Sequence, residues 1–115
     1  MIEKTLFSHL STNVSLVNGR VYPLIMPQDC IKPAITYMLV NENDKQSINN
    51  GAYGVKYRFQ IDIYDVSYAS IKEIKDQVKE ALYDFVYFPH DLNVIERYEK
   101  DTKLYRQTID FNIKG

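Results

Sequence analysis

The 115-residue sequence has a single cysteine, no tryptophan and only four glycines. The lone thiol, Cys30, has no partner for an internal disulfide and no Cys-x-x-Cys spacing for a metal knuckle, which fits a reducing compartment. An excess of one charge is also missing: 14 basic against 15 acidic side chains leave a formal charge of −1. The balance holds along the chain, with five basic and four acidic groups in residues 1–57 and nine and eleven in residues 58–115. A chain built to lie on nucleic-acid phosphates shows a basic excess, so direct nucleic-acid recognition is not expected. Long apolar runs are absent as well. The longest, 37–40 and 85–88, have four residues, against about 20 needed to span a bilayer. The opening MIEKTLFSHLST lacks the basic and apolar segments of a secretory signal. The expectation is a soluble chain that starts in the cytosol and does not engage a membrane.

What is present is an ordinary globular mixture, 45% hydrophobic and 25% charged. A chain of this size folds as one domain, here 1–115, and buries roughly two-thirds of its unfolded surface. Ten tyrosines suit both antiparallel sheets and protein interfaces.

Periodicity orders the elements. Ile2, Leu6, Leu10, Val14 and Val17 make a helical stripe, with the helix itself over about 2–12 because Ser11-Thr12-Asn13 weakens the second half of the stripe. Asn18-Gly19 reads as a helix C-cap or as a hairpin turn. Pro23, Pro27 and Pro33 each remove a ladder donor, leaving a short edge strand near 21–25 and then an extended loop. Residues 34–41 alternate as a strand with both rows largely apolar. Residues 41–53 are the most polar stretch and read as an exposed loop or hairpin tip. In the next strand Tyr53, Val55, Tyr57, Phe59, Ile61 and Ile63 point one way, and Lys56, Arg58, Gln60, Asp62 and Tyr64 the other, as in a sheet covered on one side. Residues 67–85 form the strongest helix, striped by Ile71, Ile74, Val78, Leu82 and Phe85, with Ser67 or Ser70 as its N-cap. Strands at 92–99 and 104–114, joined by a turn at 100–103, complete the order α-β-β-β-α-β-β. The fold class is α+β: a mainly antiparallel sheet of four or five strands with two helices on one face.

Chemistry is sparse. His9 and His90 have no metal-ligand spacing. Ser8 and His9, being adjacent, face different directions on a helix and cannot form a nucleophile–base pair. Asp62 and Asp65 fall on opposite strand faces unless the strand bends between them. The two glycines of residues 49–54 (NNGAYG) lack a phosphate-loop pattern. No catalytic, cofactor-binding or metal-binding residue is assigned, and an enzyme is not expected.

Three stretches carry a resemblance. They are RVYP at 20–23 followed by Pro27 and PAITY at 33–37; YRFQIDIY at 57–64 with Ser67-Tyr68-Ala69 leading into the helix; and LYRQTIDF at 104–111. Over about 2–113 the sequence resembles the tail-completion proteins of long-tailed bacteriophages and prophages, also called tail terminators or head-to-tail joining proteins. The resemblance implies a structural α+β module that assembles as a ring, six-fold, on the last ring of the tail tube. There it stops tube growth and offers the surface to which the filled head docks. Its partners would be copies of itself, the tail tube protein and a head-completion or connector protein. Its place would be the host cytoplasm during assembly and then the head-proximal end of the tail. It implies no cofactor. Val21, Tyr22, Phe59, Ile61, Ile63 and Ile109 would be core, with Pro23 and Pro33 shaping the connection. A head-completion or neck ring, or a small-molecule-binding regulatory domain, are the alternatives.

Which residues touch neighbours is a matter of physical argument instead. Identical subunits in a ring need two different patches each. The polar row Lys56, Arg58, Gln60 and Asp62, joined by Arg106 and Asp110, is one candidate. The polar segment containing Asn41, Asp44, Lys45, Gln46, Asn49 and Asn50 is the candidate for contact with tube or head. Ordinary solvated surface is the competing reading of both.

Overall fold

The computed structural model describes residues 2–46 and 53–114. Helix α1 (Ile2–Asn13) is followed by a 3-10 turn at Ser15–Val17, then β1 (Val21–Pro23), β2 (Ala34–Gln46), β3 (Tyr53–Asp65), α2 (Tyr68–Tyr83), β4 (His90–Glu99) and β5 (Leu104–Lys114). The five strands form one sheet in the order β1-β2-β3-β5-β4. Its pairs are antiparallel except β1 with β2, which run parallel. The α+β class and its element order are as expected from the sequence.

The apolar stripe of α1 outlasts the helix. Leu6 and Leu10 are buried on it, and Val14 and Val17 continue the same line through the 3-10 turn. Asn18 (φ 51°) and Gly19 (φ 79°) then take left-handed conformations, and the Asn18 N–H donates to the Ser15 carbonyl at 3.0 Å. This pair therefore closes a helical turn and is not a hairpin, which agrees with β1 finding a parallel partner.

Helix α2 starts at Ser67, whose hydroxyl accepts from the Ser70 N–H at 3.3 Å; Ser67, not Ser70, is the N-cap. Its buried row, Ile71, Ile74, Val78 and Leu82, meets Phe59, Ile61 and Ile63 of β3 and Ile109, Phe111 and Ile113 of β5 in one core. Burying each such side chain contributes about 1.5–3 kcal/mol. Helix α1 lies over β1 and β2 on the same side and touches α2. His9 fastens the two helices: its Nε2 lies 2.6 Å from the Ala81 carbonyl, and the Asn13 amide is 3.3 Å from Nδ1. Its ring packs on Phe85 at 5.0 Å.

Two expectations are corrected. Residues 41–46 belong to β2, paired as far as Gln46 with Tyr53, so the exposed loop is shorter than the polar composition implied. A backbone ladder needs no apolar side chains, and here it runs on beyond the last core-facing residues, Leu39 and Tyr57. Tyr22 is not core: neighbours on a strand face opposite ways, so burying Val21 turns Tyr22 outward, half-buried, with its hydroxyl 3.5 Å from the Cys30 Sγ.

Candidate assembly surfaces

The sheet face away from the helices carries the polar row picked from the sequence, and most of it is already paired. Register aligns Thr36, Asp62, Thr108 and Ile95 across four strands, and next to them Met38, Gln60, Asp110 and Asn93. Asp62 is buried, which corrects its reading as a solvent-facing residue. Its carboxylate accepts from the Thr108 hydroxyl at 2.5 Å, the Gln60 amide at 2.8 Å and the Arg106 Nε at 3.1 Å. No helix covers this face, so the burial comes from neighbouring long side chains, including Tyr64, whose ring lies 5.4 Å from the Arg106 guanidinium carbon. Burial raises the Tyr64 pKa, and the charge of Asp62 adds to the rise. Burial works against the charged form of Arg106, but the bond and charge of Asp62 outweigh it, so its pKa rises too. Nearer solvent, Arg58 grips Asp110 through Nε at 3.0 Å and Nη2 at 2.5 Å.

This row is thus a knit surface whose charges are answered within the chain. Lys56 stands apart, opposite Asn43 and Lys114 with no ion pair among the described residues. Asn41 is exposed and pairs with Arg58, and Asp44, Lys45 and Gln46 sit on β2 opposite Val55, Gly54 and Tyr53. Asn49 and Asn50 lie outside the described residues. Asp65 does not join Asp62. It sits opposite Tyr105 on the helix side, buried, with Oδ1 accepting from the Val66 N–H at 2.7 Å.

Most of the strongly exposed apolar residues are elsewhere, and the sequence reading passed over them. In the connection between β1 and β2, Leu24 is 65% exposed, Ile25 80% and Ile31 70%. Between α2 and β4, Tyr83, Val86 and Phe88 stand out, Phe88 at 79% with a left-handed φ of 52°. The first group adjoins β1, at one edge of the sheet, and the second leads into β4, at the other. Their signal in the sequence was modest: apolar residues packed between prolines in 23–33, and the four-residue run 85–88 just beyond a helix. Loops of that kind have too little structure around them to bury every such side chain.

Scattered apolar side chains on a surface are normal, but two unlike exposed apolar segments on one subunit are what repeated head-to-tail contact requires. Comparison with known proteins agrees with an assembly module. The family model described as tail completion protein gp17 matches residues 4–114.

The chain belongs to that family.

Among solved structures, a chain from the virion of a native gene transfer agent particle shares the fold, with a TM-score of 0.73 at 17% identity, covering 98% of this chain and 92% of that one. No curated protein sequence matches. The tail completion family is one of structural phage-tail proteins. His9 is committed to holding α1 against α2. His90, half-buried, lies 3.8 Å from the exposed Asp91. The Cys30 thiol lies 3.5 Å from the Tyr22 hydroxyl and 3.2 Å from the Ile31 carbonyl. Among those residues no three of His, Cys, Asp and Glu converge as a metal site would require.

Proposed function

We propose that this tail completion protein forms a closed ring, six-fold, at the head-proximal end of the phage tail tube, where it stops tube polymerisation and presents the surface to which the filled head docks. The observation behind this reading is the pair of unlike exposed apolar segments, Leu24-Ile25-Ile31 next to β1 and Tyr83-Val86-Phe88 leading into β4, the two edge strands of one sheet. A ring of identical subunits needs two different patches per copy, placed so that each can meet its complement on the next copy. The β2–β3 hairpin, which runs past the core as polar ladder, is the part assigned to contact with the tube or with the connector of the head. Subunits gather on the tube in the host cytoplasm and remain in the virion. The protein acts by shape and contact.

Electron microscopy of a lysate from a phage or prophage lacking this gene tests the proposal. Filled heads beside unattached, over-long tails are the expected picture. Tails of normal length that fail to attach would move the protein to a head-completion or neck position. Fully infectious particles would end the assembly reading and return attention to ligand binding.

A further inference from the structure

We infer that neighbouring copies join edge to edge, with the Phe88 segment and the start of β4 of one copy seated in a hollow beside β2 of the next. The inference rests on the proposed ring and names the surfaces that make its contact. Strand β1 accompanies β2 only across Ile35–Tyr37, and the Leu24 N–H makes a last bond to the Tyr37 carbonyl at 2.9 Å. Beyond that point the outer edge of β2 has no strand beside it among the described residues. A hollow of about 330 Å³ opens there, lined by Glu3, Pro23, Leu24, Tyr37, Met38 and Leu39. An unpaired edge next to an apolar hollow is a site that another chain can extend by strand addition.

The register shows which part of a second copy arrives there. Leu39 lies level with Phe59 and Phe111, and Phe111 lies level with the bulged start of β4 between His90 and Asn93. Rotation about an axis along the strands preserves these levels from copy to copy. The free start of β4, preceded by Val86 and Phe88, therefore meets the free part of β2. The directions also agree, because β2 is antiparallel to β3, β3 to β5 and β5 to β4. The start of β4 of one copy then runs antiparallel to the free part of β2 in the next, short of Tyr37, where β1 occupies the edge. Phe88, two residues before β4, is well exposed, and an aromatic ring is the kind of anchor that a hollow walled by Pro23, Leu24, Tyr37 and Leu39 accommodates.

Cysteine pairs read the contact directly. In a Cys30→Ser background, Leu24→Cys and Phe88→Cys in the same chain, treated with a short bis-maleimide in assembled particles, should give a ladder of covalent multimers. Either cysteine alone should give none. An uncross-linked double variant in intact particles would overturn the edge-to-edge contact, and so would dimers from Phe88→Cys alone, which would mean a two-fold contact. A single copy per tail, counted by quantitative mass spectrometry, would sink the ring reading itself. Mixing Phe88→Asp with Leu24→Asp supplies a second readout, since each variant keeps one sound edge. The mixture should form heterodimers that neither variant forms alone and should not form rings. Absence of heterodimers where the wild type oligomerises would again refute the contact.

Discussion

Replacing Asp62 by alanine tests how the uncovered sheet face is held together. The side chain is 6% exposed, against 24% for its partner Arg106. Removing the carboxylate strands three donors, but not equally. The Thr108 hydroxyl can rotate to another acceptor, and the Gln60 amide, on a half-buried residue, can turn to water. The Arg106 guanidinium can do neither fully; Glu99 remains 3.8 Å away and is itself part-exposed. A buried donor left unmade costs about 1–3 kcal/mol, and breaking a buried ion pair about 3–5 kcal/mol. The remaining contact with Glu99 puts the expected loss near the lower end of that second range, at about 3 kcal/mol, or roughly 10 °C in Tm for a chain of this length. Arg58→Ala is the control. Its pair with Asp110 involves a side chain 53% exposed, so water screens it and the expected loss is much smaller than for Asp62→Ala. Urea unfolding followed by far-ultraviolet circular dichroism measures both, at one protein concentration low enough to keep the chain monomeric. A loss below about 1 kcal/mol for Asp62→Ala, or an equal loss for Arg58→Ala, would refute the idea that burial separates these two carboxylates of one polar row.

Further predictions concern the helices and pH. His9→Ala should cost about 1–2 kcal/mol in the same assay, through the lost bond to the Ala81 carbonyl and the lost packing on Phe85; an unchanged midpoint would show that α1 does not depend on this tie. Ser67→Ala should cost about 1 kcal/mol, and Ser67→Asp should restore most of it, as expected of an N-cap. Lys72, then Gln107 and Tyr68, hold the Glu96 carboxyl below its ordinary pKa. A depressed carboxyl stabilises the fold above its unfolded pKa, and that contribution fades as pH falls through the folded value. Stability should therefore decline on acidification below about pH 4.3, and less steeply in Lys72→Met. Parallel declines in the two proteins would show that the Lys72 contact does not set the slope.

Much of the architecture was legible in the chain because local period and burial agree there. The stripe of α2, Ile71 through Leu82, and the alternating Phe59, Ile61 and Ile63 of β3 each turn one face to the core. Their spacing therefore states both the element and its buried side. Glycine and asparagine likewise marked a chain reversal at 18–19, although the neighbours needed to tell a helical turn from a hairpin are not local.

Three features were decided only by tertiary packing. Strand pairing made residues 41–46 part of β2, since the backbone ladder to Tyr53–Lys56 depends on a partner and not on polar composition. Cross-strand neighbours buried Asp62. Alternation placed it on the uncovered face, but Thr108 and Arg106, more than forty residues away, closed over it. Sheet order also made β1 and β4, the strands next to the two exposed apolar loops, the opposite edges, because β5 inserts between β3 and β4. Sequence period records which side of an element is apolar. Which edge of the molecule that side occupies depends on how distant strands pair.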